Sequence, residues 1–320
     1  MSNTIANVRE SAAWPVGILG VVQTPFQEDG AIDWPSLARL LADGVAAGVD
    51  GLLVPAVASE NAWLSFDEKV TLAARVQRLV PAALPVFWGA GAFDVAEIAA
   101  IAAAATRAGA AGLLVAVPPA LYADQTQITP YFASIARQVE LPLMVQDLQF
   151  NGPGMTIETI VTLCAAVAQV RYLKIETAPA GPKYSAVLAA TGGRVHVSGG
   201  WAVPQMIEAL DRGVHAMIPE CSMLRIYKAI DRLHRSGQRA AARRIFDRLT
   251  PVLAFTNQEL GVSIRFFKRL LVRKGIFTTA HCRLPGSDFD VWQERIAAEL
   301  IETVLSLESD LNMMEMGASK

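Results

Sequence analysis

The chain has 320 residues, 52% of them hydrophobic and 18% charged, with 28 lysines and arginines against 30 aspartates and glutamates. This balance excludes a disordered chain, and a chain of this length buries a large core without disulfide staples. The formal net charge of −2 argues against a polyanion-binding protein. The cysteines Cys164, Cys221 and Cys282 are too scattered for a disulfide framework or a zinc site, so a reducing cytoplasm is the expected compartment.

Short β-branched or leucine-rich runs alternate with longer helical patterns. The segment Val16–Val22 predicts a first strand, followed by a helix from Trp34 to about Ala47 with Asp33 as N-cap and Pro35 in its first turn. Gly51–Pro55 predicts the second strand, and Phe66–Leu79 the second helix, opened by Ser65 with Glu68 three residues on. Pro85–Gly89 then leads to Asp94–Ala108, Gly112–Val117 to Ile128–Val139, and Leu143–Gln146 to Ile157–Val167. Tyr172–Ile175, a helix near Lys183–Ala190, Val195–Ser198, a helix at Pro204–Asp211 and Ala216–Pro219 complete the alternation.

Glycines such as Gly48, Gly109 and Gly213 stop a helix just before the next apolar run. Links this brief favour a parallel βα repeat. Eight units in about 210 residues predict an α/β fold, a TIM (β/α)8 barrel; a doubly wound open sheet is the rival, without a glycine-rich phosphate loop after the first strand to support it. From 226 to 320 the strand signal stops, and a C-terminal helical extension packed on the barrel (1–225) is expected as part of one structural unit. Within it, breaks are expected near Thr250–Pro251 and after Gly275, with a last helix over Val291–Leu307. Its basic stretch, from Arg232 to Lys274, is read as solvated helix faces, since no nucleic-acid motif accompanies the charge.

The mean hydropathy of +0.34 derives largely from alanine, as in Ala99–Ala105. The most apolar stretch, Ala108–Ala123, is interrupted by Gly109, Gly112, Pro118 and Pro119, so no membrane span is expected. Arg9 and Glu10, with no apolar core behind them, argue against a secretory signal.

A barrel of this kind carries its chemistry where the strands end at the C-terminal face. Candidate positions are Gln23-Thr24, Ser59-Glu60-Asn61, Pro118–Tyr122, Gln146-Asp147, Lys174-Ile175-Glu176, Ser198–Trp201 and Glu220. Lys174 lies inside an apolar strand, where a lysine costs desolvation energy unless paired or reactive. Strand alternation puts Lys174 and Glu176 on one face and Leu173 and Ile175 on the other, which predicts the charged pair inside the barrel mouth. Desolvation favours a neutral amine, the form that attacks a carbonyl to give a Schiff base. The spacing alone serves a buried structural ion pair equally well.

These residues carry a resemblance to the dihydrodipicolinate synthase/N-acetylneuraminate lyase family, class I aldolase-like barrels that form a Schiff base with a 2-oxo acid. It runs over nearly the whole chain: Thr24-Pro25-Phe26, Gly30, Asp33, Ser59-Glu60, Leu64–Lys69 and the lysine strand. The resemblance implies Lys174 as nucleophile, no cofactor or metal beyond the covalent Schiff base, a small 2-oxo acid as partner and a homotetramer. Departures are equally specific. Val57 and Ala58 replace the paired threonines of the family motif, Gln146 takes the place of its proton-relaying tyrosine, and an arginine expected within Leu148–Gly154 is absent.

Met-Val-Gln-Asp, Lys-Ile-Glu-Thr, the Ser59-Glu60 pair and Trp201 are similar to the L-2-keto-3-deoxyarabonate dehydratase branch. That similarity implies Glu176 as acid/base, with Ser59, Glu60, Gln146 and Trp201 as substrate-binding candidates. A second glutamate of that branch is Gln205 here, leaving hydroxide departure without that proton donor. Dehydration of a 2-keto-3-deoxy sugar acid is the leading expectation. Retro-aldol cleavage to pyruvate is the second, and a non-catalytic 2-oxo-acid-binding paralogue the third. His196 and His215 are read as packing or surface residues. Cys221 has no recognisable base motif to make it a nucleophile.

Overall fold

The computed structural model describes residues 15–201, 203–286 and 288–318; Arg9 and Glu10 lie outside them. Eight parallel strands close in sequence order into a barrel: β1 (Gly17–Val21), β2 (Gly51–Val54), β3 (Val86–Gly89), β4 (Gly112–Ala116), β5 (Leu143–Gln149), β6 (Val170–Thr177), β7 (His196–Gly199) and β8 (Ala216–Met217), with β8 pairing back onto β1. The helices between them are α1 (Trp34–Ala46), α2 (Phe66–Leu79), α3 (Val95–Ala108), α4 (Ile128–Ala136), α5 (Ile157–Ala166), α6 (Gly181–Thr191), α7 (Met206–Asp211) and α8 (Leu224–Arg235). The TIM barrel expected from the alternation is the fold observed.

Local chemistry sets these elements. Asp33 caps α1 by accepting from the Ser36 N–H, and Ser65 and Glu68 cap α2 reciprocally at 3.2 and 2.9 Å. Gly109 ends α3 at φ 80°, a left-handed conformation that costs glycine nothing. Alternation along the strands then divides the core. Leu173 and Ile175 join the apolar layer between barrel and helices. Leu19, Val21, Leu53, Phe87, Leu114, Met144, Tyr172 and Ile218 fill the barrel interior.

Beyond the barrel run α9 (Arg239–Thr256), α10 (Leu260–Arg273) and α11 (Val291–Ala318). The expected break at Thr250–Pro251 does not occur. Pro251 lies inside a continuous α9, and the chain turns instead at Ser236–Gln238, around Gly237 at φ 82°, and at Asn257–Glu259. Packing of α9 against α8, α10 and α11 holds it helical although the proline removes one ladder hydrogen bond. The last helix likewise runs past Leu307 to Ala318.

The basic stretch is only partly a solvated surface. Arg239, Arg243, Arg248, Arg269 and Arg273 each pair with an acidic residue, but Arg265 and Lys268 are buried. No helix among the described residues is long and apolar enough to cross a membrane.

Candidate active site

The register places Lys174 of β6 beside Gln146 of β5 and Ser198 of β7. Lys174 and Glu176 share the parity of Tyr172, so both project into the barrel above the layer formed by Tyr172 and Met144. They are 3% and 8% exposed, and Lys174 Nζ lies 3.0 Å from Glu176 Oε1.

The Glu176 carboxylate is held on three sides. Besides Lys174, its Oε1 accepts from the Trp201 backbone N–H at 2.8 Å, while its Oε2 accepts from Gln146 Nε2 at 2.5 Å. Trp201 reaches this position with φ 56°, a left-handed conformation uncommon for a non-glycine residue and typical of functional sites. Its ring packs on Phe150 at 4.3 Å between centroids.

Two hollows meet at this pair. A cavity of about 60 Å³ is lined by Lys174, Glu176, Val57, Ala58, Trp201 and Glu220 and is roofed by Leu260, Ile264 and Phe267 of α10. A wider cleft of about 330 Å³ shares Glu176 and Trp201 and adds Phe150, Thr177, Tyr184 and Gln205, with Phe246 and Leu253 of α9 along one side. The helical extension therefore covers the mouth of the barrel, which its amphipathic pattern alone did not disclose.

A second buried network supports the loop carrying Phe150. Asp147 points away from the barrel interior, where it pairs with Lys183 and accepts from the Tyr122 hydroxyl at 3.0 Å and the Met155 N–H at 3.0 Å. Lys183 also donates to the Pro153 carbonyl at 2.5 Å. Burial lowers the Lys183 pKa despite its partner, and burial together with Asp147 raises that of Tyr122.

A family model for the Dihydrodipicolinate synthetase family matches residues 15–302. The chain belongs to that family. It is 30% identical over 306 residues to the 4-hydroxy-tetrahydrodipicolinate synthase of Limosilactobacillus fermentum, covering 92% of each chain. It is also 30% identical over 171 residues to the L-2-keto-3-deoxyarabonate dehydratase of Azospirillum brasilense, covering 52% of this chain and 55% of that one. Among solved structures, the dihydrodipicolinate synthase of Rhodopseudomonas palustris superposes with a TM-score of 0.83 at 24% identity, over 90% of this chain and 97% of that one. This last likeness is one of fold.

Against that family background, the residues expected at the site separate into two groups. Lys174, Glu176, Gln146 and Trp201 come together. Ser59 and Glu60 do not reach the cavity, which corrects their expected contact with substrate. The Ser59 hydroxyl donates to the Val22 carbonyl at 2.5 Å and accepts from the Ala56 N–H at 2.9 Å, locking the loop after β2 to β1. Glu60 is fully buried beneath α10, where one carboxylate oxygen pairs with Lys268 and the other accepts from the Leu284 N–H at 2.7 Å.

The N–H groups of Ser59 and Glu60 are also spent, on the carbonyls of Ala56 and Val57. Val57 and Ala58 open this one-turn helix and line the cavity; their N–H groups have no acceptor within the turn. Gln205 stands in the wider cleft rather than beside Lys174. His196 is buried at the closed end of the barrel and stacks on His215 at 5.0 Å, with burial lowering its pKa to about 4.

Sequence reasoning missed Phe150, Lys183 and Lys268. Lys268 did leave a signal: together with Arg269 it interrupts the apolar run Phe266–Leu271.

Proposed function

We propose that this chain is a Schiff-base-forming lyase of 2-oxo acids that dehydrates a 2-keto-3-deoxy sugar acid. The observation that carries this reading is the buried Lys174–Glu176 pair, 3.0 Å apart at the edge of a cavity in the barrel mouth. The similarity to the Azospirillum brasilense L-2-keto-3-deoxyarabonate dehydratase supports the substrate class.

In this mechanism the substrate carboxylate lies against the Val57 and Ala58 N–H groups. Glu176 Oε1 takes a proton from Lys174 Nζ, and the neutral amine attacks C2. Glu176 returns that proton to the hydroxyl of the adduct, which departs as water; this leaves Glu176 a carboxylate again and gives an iminium, an electron sink that acidifies the C3 protons. Glu176 removes one of these, and the resulting enamine expels the C4 hydroxyl. Tautomerisation and hydrolysis then release a semialdehyde and free Lys174. Gln146 cannot accept or give up a proton near neutral pH; its amide holds Glu176 Oε2 and keeps the carboxylate aimed at C3.

Deprotonation of the C4 hydroxyl instead would break the C3–C4 bond and release pyruvate, which is the second reading. Borohydride trapping with pyruvate, read by intact mass, tests the covalent step. Wild type gains the reduced adduct and Lys174→Ala does not; equal trapping by the variant would overturn the proposal. Incubation with 2-keto-3-deoxy pentonates and hexonates then distinguishes a semialdehyde product from pyruvate plus an aldehyde.

A further inference from the structure

A dehydration of this kind needs a proton for the departing hydroxyl, and Glu176 is occupied as the base. A second carboxyl stands at the barrel mouth, just after β8. The chain leaves β8 through Ile218 and Pro219, and Glu220 forms a parallel bridge with Val21 of β1. Ala216, Ile218 and Val21 all belong to the apolar layer inside the barrel. Alternation therefore projects Glu220 into the interior one layer higher, at the mouth. It lines the same cavity as Lys174 and Glu176 and is 4% exposed.

The two carboxylate oxygens of Glu220 differ. Its Oε2 accepts from Gln23 Nε2 at 2.6 Å and from the Ser222 N–H. Its Oε1 is buried and makes no hydrogen bond among the described residues. Gln23 is itself fixed, since its Oε1 accepts from the Cys221 N–H at 3.0 Å.

An ionised carboxylate with a bare buried oxygen is costly, whereas a protonated one presents an O–H there. Burial accordingly raises the Glu220 pKa. The neighbouring cation, Lys274, is already engaged with Glu308 at 3.0 Å, Asp43 at 3.5 Å and the Ser222 carbonyl at 2.9 Å.

We propose that Glu220 is the general acid of the dehydration, donating the proton on Oε1 to the hydroxyl that leaves C4. The assignment rests on the dehydratase reading above. Glu176 takes the C3 proton, and the C3–H electron pair passes into the enamine. The enamine then forms the C3–C4 double bond as the C4–O bond breaks, and the Glu220 proton completes a water molecule. Glu220 is left as carboxylate, and the proton on Glu176 returns to it through solvent once product departs. Glu220 thus supplies the donor that Gln205, an amide in the wider cleft, cannot.

The test compares wild type and Glu220→Gln in borohydride trapping of pyruvate, deuterium exchange at pyruvate C3, water loss from 2-keto-3-deoxy pentonates and hexonates, and fluoride release from 4-fluoro-2-oxobutanoate. Fluoride leaves without a full proton transfer, so a missing acid affects it least. Glu220→Gln is expected to retain trapping and exchange within about threefold and to lose dehydration by at least ~100-fold. Its fluoride release should stay within about tenfold of wild type.

Wild-type dehydration by Glu220→Gln, or an equal fall in all four measurements, would overturn the assignment. The same water-to-fluoride comparison on Glu220→Asp, which retains an acid one methylene further back, covers the case in which the glutamine variant does not fold. A selective loss of dehydration in Glu220→Asp supports the proposal and an equal loss overturns it. Wild type that traps no pyruvate refutes the Schiff-base reading itself. Wild type that traps pyruvate but releases no water refutes the dehydratase reading and the Glu220 assignment together.

Discussion

Gly200 lies directly against Lys174: a methyl group on its Cα would stand 2.8 Å from Lys174 Cε and closer still to Glu176 Oε1. The absent side chain lets the backbone after β7 approach the buried pair, so that the next residue, Trp201, can present its N–H to the carboxylate. Gly200→Ala should therefore displace the pair. We expect a stability loss of about 1–3 kcal/mol from overpacking and a fall in kcat of roughly 100-fold from misplacement. Thermal unfolding and steady-state kinetics check the two effects separately.

Gln146 is expected to act through Glu176 rather than on substrate. Gln146→Leu removes the 2.5 Å hydrogen bond to Glu176 Oε2 while preserving most of the side-chain volume. Losing a hydrogen bond to a charged group costs about 1.5–3 kcal/mol, which corresponds to a fall in kcat of about 10–100-fold. Pyruvate trapping by Lys174 should persist. Loss of trapping in parallel with turnover would instead give Gln146 a part in forming the Schiff base.

Lys268 and Glu60 tie α10 to the loop after β2 from positions with fully buried side chains. Lys268 also donates to the His281 carbonyl at 2.8 Å and lies 4.3 Å over the Phe26 ring. Lys268→Met strands the Glu60 carboxylate, and urea denaturation should show a loss of about 3–5 kcal/mol. Adding Glu60→Gln removes the stranded charge and should restore most of that loss. Additive destabilisation by the two substitutions would show that the pair is not a coupled unit.

Acid stability should depend in part on Glu68. The hydrogen bonds from Arg283 are the main cause lowering its pKa to about 2 from the ordinary 4.5. A carboxylate depressed in the folded state contributes stability that is present above pH 4.5 and lost as pH falls toward 2. The pair is partly exposed, so its contribution is about 0.2–1 kcal/mol. Wild type and Glu68→Gln should differ most in unfolding free energy above pH 4.5 and converge between pH 4.5 and 2. A constant difference across that window would show that the ionised Glu68 carboxylate is not the source of the effect.

The barrel and its two central residues were legible in the sequence because the signals are local. Alternation with period 2 is a property of each strand alone, so Tyr-Leu-Lys-Ile-Glu by itself puts Lys174 and Glu176 on one face and two aliphatic residues on the other. The stop at Gly109 and the Ser65–Glu68 capping box are likewise settled within a few residues. Pro251 shows the limit of such reasoning: its local preference for a break yields to the packing of α9 against α7, α8, α10 and α11.

The partners of polar loop residues belong to the tertiary structure. Ser59 and Glu60 read as substrate ligands from their place after β2. Closing the barrel brings the Val22 carbonyl to one, and the return of α10 brings Lys268 to the other. Glu220, by contrast, is a candidate in sequence only by its place after β8, and its bridge to Val21 of β1 carries it into the cavity of Lys174. The local pattern of residues is enough to say which of them face inward, because backbone geometry repeats over two or four residues. Tertiary structure decided which inward residues touch one another, because a buried polar group takes whichever donor or acceptor the closed fold places within about 3 Å.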